Sequence, residues 1–110
     1  MNRTTKVVYN DSHCPFTISP KAICWLFEHG SGDLFDCRGH FLLKRHHPLL
    51  VKCIEILGDL ANGWTTDAQG NVSVCAFEIA EVPGSYYYIE NHDGLETVIG
   101  LRDMEHVMEQ

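Results

Sequence analysis

The sequence predicts an α+β fold in which two helices pack on one face of a small, mainly antiparallel sheet that ends in a three-strand meander. Two stretches, 20–29 and 48–61, carry apolar residues at helical spacing. The C-terminal part, from residue 72 on, alternates apolar and polar residues between turn-forming dipeptides, as strands do. Helices packed against such a meander form an α+β sandwich.

The first strand and the first helix have clear local signals. Residues 6–9 combine β-branched residues with an aromatic, which is typical of a strand. Ser19 before Pro20 is a hydroxyl N-cap followed by proline at the first helical position, where its missing N–H costs nothing. The helix should end at Gly30. Its predicted buried face consists of Ile23, Leu26 and Phe27.

Pro48 opens the second helix, and Asn62-Gly63 ends it because these residues tolerate positive φ. Its apolar stripe consists of Leu49, Leu50, Cys53, Ile54, Leu57, Leu60 and Ala61. The meander strands are predicted at 72–79, 86–90 and 95–99, with turns at Pro83-Gly84 and 91–94. Residues 33–44 have no clear pattern, and the tail from Arg102 onward is predicted to form a short helix.

Length and composition favour a single domain over 1–110. The 110 residues can bury most of their apolar surface, and 45% hydrophobic with 21% charged residues is typical of a globular protein. No apolar segment approaches the roughly 18 residues of a membrane span, and no signal peptide is recognisable. We therefore expect no membrane association and a location in the cytoplasm.

The charge balance argues against binding of duplex nucleic acid. The net charge is −7, and the one basic cluster is 44–47, whereas phosphate binding usually needs a basic face. Binding to a basic partner surface or to a small ligand is compatible with this charge. Neither a Gly-x-Gly-x-x-Gly loop nor a Walker pattern is present, which excludes standard nucleotide hydrolysis.

The five cysteines contain no Cys-x-x-Cys pair, so we expect reduced thiols. Cys24, Cys53 and Cys75 fall within apolar periods and are predicted to lie in the core. Cys14 lies in the loop after the first strand, but a thiolate nucleophile needs an activating base that its sequence neighbours rarely provide. We therefore predict no catalytic residue there.

Seven histidines raise the question of a metal, although no cofactor and no metal site is predicted. A structural zinc site needs four ligands, usually as two close pairs, and Cys37 with His40 makes one such pair. The alternative function is a small metal-dependent hydrolase or nuclease. Its proposed site residues are His13, Cys37, His40 and Asp93.

Ligand binding is the favoured function of the remaining polar and aromatic residues. A helix N-terminus flanked by Arg45 and His47 can attract an anion, and aromatic side chains can stack on a base. Polar turn residues can contact hydroxyl groups of a ligand. The predicted binding residues are Arg45, His47, Trp64, Tyr86, Tyr88, Asn91, Asp93 and Arg102. An exposed basic corner, a solvated Asp-Gly turn and a homodimer interface formed by the aromatics remain alternatives, and a homo-oligomer is expected.

Several blocks of this chain resemble, in the same order, a family of small proteins encoded by tailed bacteriophages, most of them hypothetical proteins. They are 6–10 (KVVYN), 16–19 (FTIS), 45–49 (RHHPL), 57–58 (LG), 61–63 (ANG), 79–83 (IAEVP), 88–90 (YIE) and 93–96 (DGLE). Family members usually have paired glycines where this chain has Cys14-Pro15, and an aspartate at His47. The resemblance therefore implies that His47 caps its helix poorly and leaves first-turn N–H groups free.

The resemblance implies a non-enzymatic phage accessory protein that acts in the host cell cytosol, in host takeover or defence evasion. One version sequesters a nucleotide-derived signal, as phage proteins that bind cyclic ADP-ribose isomers do. Trp64 and the tyrosines would then stack on the base, Arg45 and Arg102 would contact phosphates, and Asn91 and Asp93 would contact ribose. The other version inhibits a host protein through the acidic surface. Small nucleotide-like ligands and host proteins are therefore the expected partners.

Overall fold

The computed structural model of the chain describes residues 4–100. These residues form two α-helices and six strands in small antiparallel sheets, which confirms the α+β class. The predicted helix from Arg102 onward lies outside the described residues. In chain order the elements are β1 (Thr4–Asn10), α1 (Pro20–Glu28), α2 (Pro48–Leu57), a 3-10 turn (Gly58–Ala61), β2 (Trp64–Thr66), β3 (Val72–Val74), β4 (Phe77–Pro83), β5 (Tyr87–His92) and β6 (Leu95–Gly100).

Helix α1 begins and ends where the sequence predicts. The Ser19 hydroxyl accepts a hydrogen bond from the Ala22 N–H at 3.1 Å, which satisfies one first-turn donor. Ala22 and Leu26, four residues apart, are fully buried. The predicted burial of Phe27 is wrong, since its side chain is 55% exposed. It follows Leu26 by one residue, so it points about 100° away from the buried face.

Helix α2 starts at Pro48 but ends earlier than predicted. Gly58 has φ of 55° and stops the α-helix after Leu57, and the chain continues as a 3-10 turn. The predicted apolar stripe is therefore interrupted before Leu60, which is 59% exposed. Leu50, Val51, Cys53 and Ile54 are the buried residues of α2.

The strands pair differently from the predicted meander, which is not confirmed. Strand β4 pairs antiparallel with β1, β3 pairs with β2, and β5 pairs with β6. The predicted strand 72–79 divides at residues 75 and 76. There the Ala76 N–H donates to the Asn10 side chain, and the Phe77 N–H donates to that of Asn62, both at 3.1 Å. Side chains thus replace a continuous ladder where the chain changes partner strand.

The core is one cluster built from both helices, β1, β4 and the loops between them. Cys53 and Cys75 are buried as predicted, but Cys24 is exposed and that prediction is wrong. Cys24 lies on the face of α1 turned away from Ala22 and Leu26. The cluster consists of Val8, Cys14, Ile18, Ala22, Leu26, Leu34, Leu50, Val51, Cys53, Ile54, Ala61, Cys75 and Phe77.

Candidate functional site

Arg45, the predicted phosphate contact, is paired inside the protein. Its guanidinium donates to both carboxylate oxygens of Glu96 at 2.5 and 2.8 Å. It also stacks on Phe16, with Cζ 3.7 Å from the ring centroid. The Glu96 side chain is only 3% exposed, and its carboxylate also accepts the Asn10 N–H at 2.8 Å. The positive charge of Arg45 is thus neutralised at a buried carboxylate rather than presented to an anion.

His47 caps α2, so the predicted poor cap is wrong. Its Nδ1 accepts a hydrogen bond from the Leu49 N–H at 3.1 Å. The imidazole does this in place of a carboxylate because a ring nitrogen carrying no proton is a good acceptor. One donor of the first turn is therefore satisfied within the chain.

The predicted ligand residues of the last hairpin stabilise the hairpin itself. The Asn91 side chain accepts the Gly94 N–H at 2.9 Å, and Asp93 has φ of 52°, so both shape the tight turn. The Tyr88 hydroxyl donates to Glu90 at 3.2 Å. Tyr86 is 72% exposed.

The structure does not gather the predicted nucleotide site. Trp64 lies in β2, next to the start of β4, whereas Tyr86 follows the end of β4. Seven residues of extended chain separate these two points by about 20 Å. Arg102 lies outside the described residues. His46, the residue after Arg45, contacts Tyr87, which was not a predicted binding residue. Its Nδ1 lies 2.6 Å from the Tyr87 hydroxyl.

The residues of the alternative metal hypothesis fall into two separate pairs. His13 Nδ1 lies 3.2 Å from the Asp93 carbonyl oxygen. Cys37 and His40 belong to a different loop, in which His40 contacts Asp36. Within residues 4–100, no three His, Cys, Asp or Glu side chains are grouped so that they could hold a metal ion.

A groove that begins at Phe16, on whose ring Arg45 stacks, combines apolar side chains from four segments. We call it the apolar groove. Two adjoining cavities of about 250 and 260 Å³ form it, and both are lined by Thr17, Ile18 and Ile23. The first cavity is completed by Phe16, Phe35, Gly39 and Phe41, and the second by Pro20, Gly63 and Trp64.

Backbone hydrogen bonds hold the floor of the groove in place. The Gly63 N–H donates to the Thr17 carbonyl, and the Ser19 N–H donates to the Ala61 carbonyl, both at 2.9 Å. Gly63 approaches this segment so closely that a Cβ atom would overlap the Thr17 backbone. Ser19 then starts α1, and the first turn of that helix directs Ile23 into the groove.

The aromatic wall of the groove comes mainly from residues 33–44, which have no clear sequence pattern. Phe35 and Phe41 form an isolated antiparallel bridge, and their ring centroids are 5.7 Å apart. Phe41 also packs against Phe16, with centroids 5.6 Å apart. Leu34 is buried beside this bridge and anchors it to the core, while Phe35 remains 41% exposed.

Apolar surface continues from the groove onto the β2–β3 hairpin. Trp64 pairs with Val74 across the two strands, so both side chains share one face. Val72 lies on the same face, two residues before Val74. The exposed fraction is 52% for Trp64, 56% for Val74 and 61% for Val72. Contiguous exposed apolar surface of this kind is typical of interaction sites.

The groove has no group suited to acid–base chemistry. None of its lining residues has an ionisable side chain. The Thr17 hydroxyl donates to the Pro15 carbonyl at 2.9 Å. The ionisable groups with shifted pKa values are not among the lining residues. The pKa of Asp36 is lowered mainly by the backbone N–H of His40, and burial is the main cause that raises the pKa of Tyr87.

Sequence reasoning found Trp64 but missed the other groove residues. Phe16, Phe35 and Phe41 lie outside regular elements, and three phenylalanines in loops were the available signal. They are far apart in the sequence, so their convergence depends on long-range packing that periodicity does not reveal.

No family model, curated protein or solved structure matches this chain. The resemblance to the bacteriophage family therefore stays a prediction, as does self-association. Among residues 4–100, neither helix has the length and apolar character needed to cross a membrane.

Proposed function

We propose that this chain is a non-enzymatic binding protein whose apolar groove holds an apolar segment of a host protein. The observation that carries the proposal is the pair of adjoining cavities between Phe35 and Trp64, continued by the exposed face of the β2–β3 hairpin. The resemblance to phage proteins supports a partner in the host and a role in host takeover or defence evasion.

The dimensions of the groove favour a peptide segment over a nucleotide. The groove is elongated, since its two cavities lie side by side and share the lining residues Thr17, Ile18 and Ile23. Two cavities in a row match two side chains of one bound peptide segment. A nucleotide phosphate would also lack a cation, since no groove residue is charged and Arg45 is paired with Glu96.

The net charge of the protein predicts which residues flank the bound peptide segment. The protein has a net charge of −7 at pH 7, so basic residues on either side of the apolar segment would speed association and suppress acidic competitors. The expected partner sequence therefore has two large apolar residues between basic residues. Exposed aromatics such as Trp64 and Phe35 are the side chains that usually dominate such interfaces.

Selection of peptides on the parent protein, followed by affinity measurements on groove variants, tests this proposal. A peptide selected from a random library on the parent protein should contain apolar residues, and its affinity should fall at least about tenfold in Phe35→Ala and in Trp64→Ala. Tyr86→Ala is the matched control because Tyr86 is an exposed aromatic outside the groove, and it should leave the affinity unchanged.

Two results would overturn the proposal. One is a selected peptide that binds Phe35→Ala, Trp64→Ala and the parent equally well. The other is tight binding of cyclic ADP-ribose or a cyclic adenine dinucleotide by both groove variants, which would favour the nucleotide hypothesis.

A further inference from the structure

Two buried cysteines from distant parts of the chain are in sulfur–sulfur contact. Cys14 lies in the loop after β1, and Cys75 lies between β3 and β4, 61 residues later. Their Sγ atoms are 3.4 Å apart, and both thiols are free. The thiol of Cys14 also contacts the Ser73 carbonyl oxygen at 3.3 Å, and that of Cys75 contacts the Pro15 carbonyl oxygen at 3.2 Å.

One buried side chain holds both cysteine-bearing segments in register. The Asn10 amide nitrogen donates to the Cys14 carbonyl, and its oxygen accepts the Ala76 N–H at 3.1 Å. Asn10 is fully buried. The Cys75 N–H donates to the Gly63 carbonyl at 2.9 Å, which fixes the second segment from its other side. The fold thus holds both backbone segments in the positions that bring the two sulfurs together.

We propose that Cys14 and Cys75 are a modification site and form an internal disulfide when the protein meets a small-molecule disulfide such as oxidised glutathione. A disulfide bond is about 2.05 Å long. The two sulfurs must therefore approach by somewhat more than 1 Å, which rotations about the side-chain bonds can supply. This inference does not depend on the proposed function.

The exchange proceeds in two balanced steps. Cys14 is only 2% exposed, so the reaction starts when a transient opening of the loop after β1 admits oxidised glutathione. The Cys14 thiol then loses its proton and attacks one sulfur of oxidised glutathione, which forms a mixed disulfide and releases one glutathione thiolate that takes up the proton. Cys75 then loses its proton and attacks the Cys14 sulfur, which releases the second glutathione in the same way. The protein loses two hydrogen atoms, and one oxidised glutathione becomes two reduced ones.

The order of the two steps follows from the environment of Cys75. Burial, together with the contact to Cys14, raises the pKa of the Cys75 thiol to about 12. Few Cys75 thiolates exist at neutral pH, so Cys75 is a poor first nucleophile. Its attack becomes effective once Cys14 carries a leaving group in direct contact with it. We therefore expect slow oxidation that speeds up as pH rises from 7 to 9.

The bond would join the wall of the apolar groove to the hairpin beside it. Cys14 precedes Pro15 and Phe16, whereas Cys75 follows β3, whose residue Val74 pairs with Trp64. Closing a loop of about 60 residues restricts the unfolded chain, and this should raise Tm on the order of 10 °C.

The test uses the full chain with Cys24→Ser and Cys37→Ser, because these two exposed thiols would otherwise form mixed disulfides. After incubation of this folded protein with oxidised glutathione, intact mass spectrometry should show the loss of two hydrogen atoms and no added glutathione. Proteolysis without reduction should yield a peptide pair joined through Cys14 and Cys75. The rise in Tm should disappear when dithiothreitol is added.

Two variants, each with one further cysteine replaced, serve as matched controls. Adding Cys75→Ala to the same background should stop the reaction at one glutathione on Cys14, and adding Cys14→Ala should leave the protein unmodified. An unchanged mass of the folded background protein at pH 9 would overturn the proposal. So would a bond that joins Cys53 to either cysteine.

Discussion

At the scale of single residues, the buried polar side chains determine how distant segments of the chain fit together. Asn10, Ser19 and Glu96 are buried, and in residues 4–100 no buried side-chain nitrogen or oxygen lacks a hydrogen-bond partner. Each of the three bonds to a segment far away in the sequence. These three side chains are therefore structural, and removing the hydrogen-bond partner of any of them should be costly for stability.

The Arg45–Glu96 pair gives the sharpest stability prediction. Glu96→Gln removes the charge but retains an oxygen for the Asn10 N–H, so Arg45 loses its counter-ion in a largely buried site. We expect the free energy of unfolding, measured in urea, to fall by about 3 kcal/mol. Glu55→Gln is the control because its ion pair with Lys6 is exposed, and it should change stability little. Equal losses in the two variants would contradict this role of Glu96.

The buried thiols predict a loss of stability at alkaline pH. Burial raises the pKa of Cys53 to about 11, and burial with the Cys14 contact raises that of Cys75 to about 12, from an ordinary value of 9.0. The unfolded chain therefore releases these protons first. The free energy of unfolding should fall as pH rises above about 9 and continue to fall to about 11 and 12, whereas below 9 the thiols add no pH dependence.

Urea unfolding of the reduced protein between pH 8 and 11 measures this slope. Cys53→Ala should lower stability at all pH values but make the alkaline slope shallower. Cys24→Ala, at an exposed thiol, should keep the parent slope. If Cys53→Ala and the parent have the same slope, the buried thiols are not its source.

At the scale of elements, local signals predicted the helices well and the strand pairing poorly. Ser19 and Pro20 mark the start of α1, and Pro48 that of α2, because caps act within one turn. The division between β3 and β4 depends on Asn10, which lies more than 60 residues earlier in the chain. No local pattern carries that information, so a single continuous strand was the natural prediction.

Turn glycines provide a prediction at the same scale. Gly94 and Gly70 have similar φ, 94° and 85°, but a Cβ at Gly94 would overlap the His13 carbonyl oxygen, whereas Gly70 has open space. Gly70→Ala should cost about 1 kcal/mol from backbone strain alone. Gly94→Ala should cost clearly more, because β6 must move away from the loop after β1. Chemical denaturation compares the two, and equal costs would mean that this close approach does not matter for stability.

At the scale of the whole molecule, the groove was the part that sequence reasoning could not predict. Its lining comes from four segments between Phe16 and Trp64, and the predicted site residues contribute Trp64 to it. The pairing of Arg45 with Glu96 and the approach of His46 to the Tyr87 hydroxyl could likewise not be predicted, because both are long-range contacts. Composition and charge argued against binding of duplex nucleic acid, but the location of the proposed binding surface follows from packing.

Backbone amide NMR of the ¹⁵N-labelled protein shows most directly where a bound peptide lies. On titration with a selected apolar peptide, the largest chemical-shift changes should fall on residues 16–23, 35–41 and 63–64, with smaller changes on the β2–β3 hairpin. Changes concentrated on 45–47 and 86–93, with the groove resonances unmoved, would contradict the account and return the binding surface to the arginine and tyrosine residues.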